Sequence, residues 1–476
     1  MNNLRRIFIS IFFLLAVVWN INGVNVKDFG AIGDGVNDDT KFIKEAILRA
    51  DDGLIVFPRG KYRITESIEI DLKKTGKIGI KGSGGTATII MEGSGAAFKI
   101  IGSHSGTSNP ESIVDDVWRN ERMPTISEIE ITGSNPEADG IEISYALKPI
   151  ISKVLIRDVR YGIHLTTRNR NVIIESSHIY NCAKVGVYLD AVNIHQININ
   201  NCHISYNKES GIKVEASEIR NLQITGNDIE YNCEKYSDTS ADIWIDTSKE
   251  GSSLREASIT SNTIQAVPTP GGRNILLIGN GETTNKIGLL SITGNHISNQ
   301  TVNIDLKNIR GVNIVGNTFI RGYDRHIFAE NCQNLVISSN IFDRNDDYFP
   351  PELVAKGGII MGKVQNVILC DNVIQGVEHL GAIELYNGSD ISISSCHIID
   401  QLYQGIRVKD CTGLNINGCT IKTNKKENKR IVQVGIYLTG NCKNVSVSNN
   451  LLDTGQKKTI VNETQNKIFL QSNMRI

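Results

Sequence analysis

Gly186-Val187-Tyr188-Leu189-Asp190, then Cys202-His203-Ile204, then Gly211-Ile212-Lys213-Val214-Glu215, then Asn227-Asp228-Ile229: two short patterns alternate along this stretch, and they decide the fold. The second pattern, Asn, Cys or Ser, then any residue, then Ile, Leu or Phe, recurs eleven times between Ser177-His178-Ile179 and Asn449-Asn450-Leu451. Its copies are about 22 to 25 residues apart, with a few longer intervals where loops are inserted. The first pattern, a Gly followed by alternating apolar and variable residues, returns at Gly162-Ile163-His164-Leu165-Thr166, Gly405-Ile406-Arg407-Val408-Lys409 and Gly435-Ile436-Tyr437-Leu438-Thr439. Alternation with period two buries one face and wets the other. Short strands of this kind cannot close a core singly, but stacked as the coils of a parallel β-helix they can. Like residues then pile up at about 4.8 Å, and inward Asn or Cys side chains form ladders at the corners. A leucine-rich repeat is the rival solenoid, but its Leu-x-x-Leu-x-Leu skeleton and helical periodicity are absent.

Working outward, the composition limits the partners. The 476 residues are 40% hydrophobic and 21% charged, which excludes wholesale disorder. A net charge of -1 leaves no basic excess to neutralise a phosphate backbone, so no nucleic-acid partner is expected. Only 9 of the residues are proline, in keeping with a chain of strands and turns. The nine cysteines show no metal spacing of the CxxC type, and no metal site is expected. Cys202, Cys396 and Cys419 fall on the ladder, and Cys332, Cys411 and Cys442 share another corner. Most are expected to be buried free thiols, although Cys396 with Cys419, or Cys411 with Cys442, would lie within disulfide reach.

The start reads as an export signal: Arg5 and Arg6, an apolar run from Ile7 to Trp19, then a small-residue stretch ending at Gly23. That run is too short to cross a bilayer, which needs roughly 20 residues, and no later stretch is a candidate. The mature protein is therefore expected to be secreted or periplasmic, without a transmembrane anchor. Three segments follow: a signal peptide over 1–23, the β-helix over 24–456, and a cap or tail over 457–476 that leaves the repeat rhythm.

Function has to come from side chains pointing outward from the Gly-led strands. With Ile163, Val187, Ile212 and Ile243 inward, the next residues form a column of His164, Tyr188, Lys213 and Trp244. Two residues on, a second column holds Thr166, Asp190, Glu215 and Asp246. Carboxylates one and two rungs apart bracket the separations used in glycoside hydrolysis, about 5 to 5.5 Å for retaining and 6.5 to 9.5 Å for inverting chemistry. Crowding of like charges is expected to raise one of their pKa values and so supply an acid. Asp190, Glu215 and Asp246 are the catalytic candidates, and His164, Arg168, Tyr188, Lys213 and Trp244 the substrate-binding ones. The plain alternative is a ladder of solvated charges. A second outward group comprises Glu330, Glu384, Tyr386, Arg407 and Lys409. Insertions at 103–124, 232–240, 266–273 and 343–357 are expected to edge the binding face.

The N-terminal region carries a resemblance. Val24 through Phe29-Gly30-Ala31-Ile32-Gly33-Asp34-Gly35 to Asp38-Asp39-Thr40, an amphipathic stretch over 41–50, and Val56-Phe57-Pro58-Arg59-Gly60-Lys61-Tyr62 resemble the opening of the pectate-lyase-like superfamily. This is the right-handed parallel β-helix group shared by polygalacturonases, rhamnogalacturonases and phage tailspike depolymerases. The resemblance implies an all-β right-handed parallel β-helix of about 11–13 coils, with a short helix capping the first. Phe42, Ile43, Ala46 and Ile47 share one face of that helix. Gly405-Ile406-Arg407-Val408-Lys409 is similar to the Arg-x-Lys element of polygalacturonases, but that family's Asn-Thr-Asp, Asp-Asp and Gly-His-Gly motifs have no match. The fold hosts several activities, so three readings stand. The first is a secreted glycoside hydrolase needing no cofactor. The second is a polysaccharide lyase in which the carboxylates hold Ca²⁺ and Lys213, Arg168 or Tyr188 is the base. The third is a non-catalytic glycan-binding solenoid. A polysaccharide or oligosaccharide is the expected partner in each, with a monomer or homotrimer as the assembly.

Overall fold

The computed structural model describes residues 23–50, 53–234, 237–280, 287–345, 347, 354–424, 434–453 and 459–476. The segment read as an export signal lies, apart from Gly23, outside them. Among the described residues alternating apolar positions give 45 strands, and each pairs in parallel with the strand one coil away, as Val187 does with Ile163 on one side and Ile212 on the other. The coils thus form a parallel β-helix whose walls are three sheets. The front sheet stacks fifteen strands, from Ile68–Asp71 through Val185–Asn200, Ser210–Glu215, Ser240–Asp246 and Gly272–Ile278 to Ile460–Asn462. The stack is longer than the expected eleven to thirteen coils, because the first coils lack the repeat signature. The stretch after residue 457 adds another coil: Ile460–Asn462, Phe469–Gln471 and Met474–Arg475 pair with the strands of the preceding one.

The core is a column of stacked aliphatics. On the front sheet Ile163, Val187, Ile212, Ile243, Ile275, Ile304, Ile327, Ile359, Ile383, Ile406 and Ile436 are all fully buried. Burying each such side chain contributes roughly 1.5–3 kcal/mol. Single residues in the left-handed region turn the chain between front and second sheets: Thr167 (φ 60°), Ala191 (φ 45°) and Ala216 (φ 52°). Only one residue is spent at the corner, so the residue before it still points outward from the front sheet.

Polar side chains inside the helix are satisfied by laddering. Asn227, Asn262, Asn295, Asn317 and Asn340 each accept from the backbone N–H and side-chain amide, or in the first case the N–H alone, of the rung before. Each also donates its amide hydrogens to a carbonyl such as Ile199 O or Ile292 O. Cys202 and Cys419 occupy the same corner. At the last copy the phase differs from the sequence reading: Asn449 is the left-handed corner residue (φ 55°) and Asn450 is the ladder residue. All nine cysteines are free thiols, including the two pairs left open above.

A second ladder contains a carboxyl group. Asp242, fully buried, accepts from the Asn232 backbone and amide at 3.1 Å and from Asn274 Nδ2 at 3.0 Å. Burial outweighs these donors and pushes its carboxyl up to about 8. The folded chain therefore binds a proton at this site between about pH 4 and 8 that the unfolded chain has released, and stability falls as pH rises through that window. Asp242→Asn is expected to remove this decline, which scales up to about 1.4 kcal/mol per pH unit. Chemical denaturation at pH 5 and pH 8 checks it: wild type loses stability between the two, and the variant loses less.

At the N-terminal end the helix Thr40–Leu48 buries Ile43, Ala46 and Ile47 and packs Phe42 against the core. Asp39, also buried, accepts from the N–H groups of Ile32 (2.7 Å) and Gly33 (3.0 Å), locking the Gly-rich turn. Gly33 is obligatory there, since φ is +69° and a Cβ would lie 2.9 Å from the Tyr62 ring. These glycines serve the turn, as read from the sequence. No described helix is long and apolar enough to cross a membrane.

Candidate active site on the front sheet

The backbone register brings the outward residues together. His164 pairs with Tyr188, Tyr188 with Lys213, and Lys213 with Trp244; Asp190 pairs with Glu215, and Glu215 with Asp246. The three carboxylates therefore occupy successive rungs, about 4.8 Å apart along the stack. Their side chains are held by different partners. Tyr188 donates from its hydroxyl to Glu215 Oε2 at 2.5 Å, and Lys213 Nζ lies 3.1 Å from the same oxygen and 2.7 Å from Glu209 Oε1. His164 Nε2 faces Asp190 Oδ2 at 3.2 Å. Asp246 accepts from the Ser248 N–H at 2.8 Å.

The aromatic groups form one surface. Tyr161, His164 and Tyr188 meet with centroids 5.1 to 5.2 Å apart, the His164 and Tyr188 rings within 6° of parallel. Lys213 Nζ sits 4.3 Å above the Trp244 ring, so Trp244 is a wall for the ammonium as much as a sugar platform. Lys184 Nζ lies 6.0 Å from the Tyr161 ring; it is exposed and makes no ion pair among the described residues. Arg160, 4.8 Å from the Tyr161 ring, is neutralised by Asp139 and Glu137.

The electrostatics differ from the sequence expectation. Burial opposes charge on Glu215, but the Tyr188 hydroxyl and Lys213 outweigh it and hold the carboxyl below its usual range, not above it. Burial, then the Glu215 hydrogen bond, pushes the Tyr188 phenol far up, so it stays protonated. Burial would lower Lys213, yet Glu209 and Glu215 hold it above its ordinary value. The donors that face Glu215 are thus a phenol and an ammonium.

Arg168 does not join this group. It follows the corner at Thr167, stacks with Asn193 on the second sheet, and donates to the Gly106 carbonyl. Together with Arg170, which donates to Thr107 and Ser108 carbonyls, it pins the 103–124 insertion. The corner residue in the left-handed region, invisible in a period-two reading, is the reason. Tyr161, Lys184 and Glu209 were missed because each precedes the alternating segment. Two rungs were also missed: Leu276 and Ile278, whose outward positions are apolar, and Asp305 and Lys307.

Beside Glu215 the Lys213 ammonium occupies the position a cation would take. Among the described residues no group of three or more His, Cys, Asp or Glu side chains is arranged to hold a metal ion.

Comparison with known proteins agrees with the geometry at the level of fold. The family "Right handed beta helix region" matches residues 78–264, and "Rhamnogalacturonase A/epimerase, pectate lyase-like" matches 23–113. A third, "Periplasmic copper-binding protein (NosD)", matches 255–474. The Dettilon tailspike protein gp208 superposes with a TM-score of 0.51 at 17% identity, covering 92% of this chain and 68% of that one. The chain is thus a right-handed parallel β-helix, similar over residues 23–113 to the pectate-lyase-like family model and over 78–264 to the β-helix one. Among curated proteins, mannuronan C5-epimerase AlgE6 of Azotobacter vinelandii is 39% identical over 84 residues, 16% of this chain and 10% of the relative. Alginate lyase 7 of the same organism is 29% identical over 200 residues, 38% of this chain and 23% of the relative. The matches thus span a tenth to a quarter of these relatives' lengths.

Proposed function

We propose that the protein is an exported carbohydrate-active enzyme that breaks the glycosidic bonds of an acidic polysaccharide by β-elimination. The observation that carries this reading is the stacked pair of His164 and Tyr188, each tied at its polar end to its own carboxylate, with the exposed Lys184 ammonium beside them. With Nε2–H directed at Asp190, His164 Nδ1 keeps a lone pair for the proton alpha to a uronate carboxylate. The C–H electrons form the ring double bond, the bond to the leaving oxygen breaks, and the Tyr188 hydroxyl supplies that oxygen's proton. Lys184 pairs with the sugar carboxylate and stabilises the charge that develops on it. The similarity to proteins named alginate lyase and mannuronan epimerase supports an acidic sugar as the substrate.

A second reading is glycoside hydrolysis, and one observation favours it: Asp190 and Asp246 flank Glu215 in register, so the outer pair lies two rungs, about 9.6 Å, apart, close to an inverting spacing. Incubation with polyuronates and neutral glycans separates the two. Unsaturated chain ends from polyuronate, unaffected by chelator, are expected. New reducing ends without unsaturation contradict elimination and select hydrolysis.

A further inference from the structure

We infer that the same face carries a distant subsite for an acidic sugar residue, built on Tyr386, Lys363, Arg407 and Lys409. The inference deepens the reading above, since it gives the polyanionic chain a second point of attachment.

The outward column continues from Glu215 through Asp246, Ile278, Lys307, Glu330, Gly362 and Tyr386 to Lys409. Gly362 is the only residue in that series without a side chain, and the gap is used. A Cβ there would lie 2.0 Å from the Tyr386 ring and 2.3 Å from Glu330 Oε2. Tyr386 therefore lies across Gly362 and donates its hydroxyl to Glu330 Oε2, two rungs back, at 2.7 Å. A ring laid along the sheet surface offers its face to the C–H groups of a sugar.

Charge around this ring is opposite in balance to that around Glu215. Near Glu215, Lys213 is taken up by Glu209 and Glu215, with Lys249 acting on Glu215 from further off and Asp190 and Asp246 adding negative charge on the neighbouring rungs. Near Tyr386, Lys363, Arg407 and Lys409 face Glu330 and Glu384. Glu330 is occupied by Tyr386 and by Lys363 at 3.1 Å, and Glu384 by the Gly381 N–H at 3.0 Å and His379 at 3.7 Å. Arg407 is held against the Tyr437 ring at 5.0 Å and donates to Gln404, keeping its guanidinium in place. Lys409 is exposed and makes no ion pair among the described residues. Of two further carboxylates, Asp324 is taken up by His379, Arg325 and Lys356, and Glu463 accepts from the Tyr437 hydroxyl. A planar ring with cations at its edge matches a sugar that carries a carboxylate.

Gly362 lies five rungs beyond Glu215, about 24 Å along the stack. Only a chain several sugars long engages both places, so the subsite acts on binding of long substrate and leaves the bond-breaking step untouched.

The test combines Arg407→Gln and Lys409→Gln, with Tyr386→Ala as a separate variant. Binding of polyuronate and of a neutral polysaccharide is measured by affinity electrophoresis, and kinetics with long and short polyuronate chains. The charge variant is expected to bind polyuronate about tenfold more weakly, as loss of a hydrogen bond to a charged group implies. KM for long chains rises by a similar factor, kcat is unchanged, and short chains are unaffected. Tyr386→Ala weakens binding without changing the salt dependence. Unaltered binding and KM in both variants, or wild-type binding of neutral polysaccharide as tight as that of polyuronate, overturns the subsite. If polyuronate is bound in this residue-dependent way but never cleaved, the subsite stands and the elimination reading falls.

Discussion

Tyr188→Phe is expected to lower turnover of a polyuronate by about 10²- to 10⁴-fold, the range for loss of a positioned proton donor. The ring stays stacked on His164, so substrate affinity should change little and the melting temperature should hold. His164→Gln should cause a loss of the same order, since it removes the base while keeping a side chain able to meet Asp190. Glu215→Gln should also impair turnover, because the amide no longer fixes the Tyr188 hydroxyl or pairs with Lys213. Asp246→Asn is the internal control. Elimination gives Asp246 no proton to move, and the variant should retain activity within about tenfold, whereas hydrolysis by the outer carboxylate pair predicts a loss as large as that of Tyr188→Phe. Steady-state kinetics on the four variants checks the ordering.

Asn317→Ala is expected to be the most damaging single change away from the face, at about 2–5 kcal/mol. Asn317 Oδ1 accepts from Asn295 N and Nδ2, and its amide donates to Ile292 O and Asn340 Oδ1. Truncation leaves several buried groups without partners, at roughly 1–3 kcal/mol each. Each coil rests on its neighbours, so the loss should loosen the coils on both sides of residue 317 before the ends of the stack. Chemical denaturation gives the magnitude, and hydrogen exchange locates the loosening; equal protection in wild type and variant around residues 295–340 would contradict the ladder's role.

Much of the fold is legible in the sequence because a β-helix repeats its physics every coil. Each Gly-led strand spells the same alternation, so Ile163, Val187, Ile212 and Ile243 identify the inward column and fix the outward one. The N-terminal glycines likewise read as turns, and Asp39 shows why: its carboxylate needs the two N–H groups that only such a turn presents. The site was less legible. Alternation places Tyr188 and Glu215 on one face but says nothing of diagonal contacts, and these set the chemistry. Tyr188 reaches across a rung to Glu215, Lys213 takes up the same carboxylate, and the expected rise in carboxyl pKa becomes a fall. Arg168 was misplaced by a single left-handed residue, and Asn449 by one position, because corner conformation leaves no mark in hydropathy. Tyr386 over Gly362 is a further case: a missing side chain on the rung between Tyr386 and Glu330 makes the contact possible, and only the three-dimensional register reveals it.

Nuclear magnetic resonance of polyuronate treated with the protein in D₂O addresses the central claim most directly. If His164 removes the proton alpha to the carboxylate, cleaved ends must carry the unsaturation that its loss creates, and uncleaved residues that recover a proton must carry deuterium at that carbon. Both signals should vanish in the His164→Gln protein, whereas Tyr188→Phe, which keeps the base, should lose the unsaturated ends and retain the exchange. Cleaved chains whose carbon alpha to the carboxylate keeps its original proton would contradict the account.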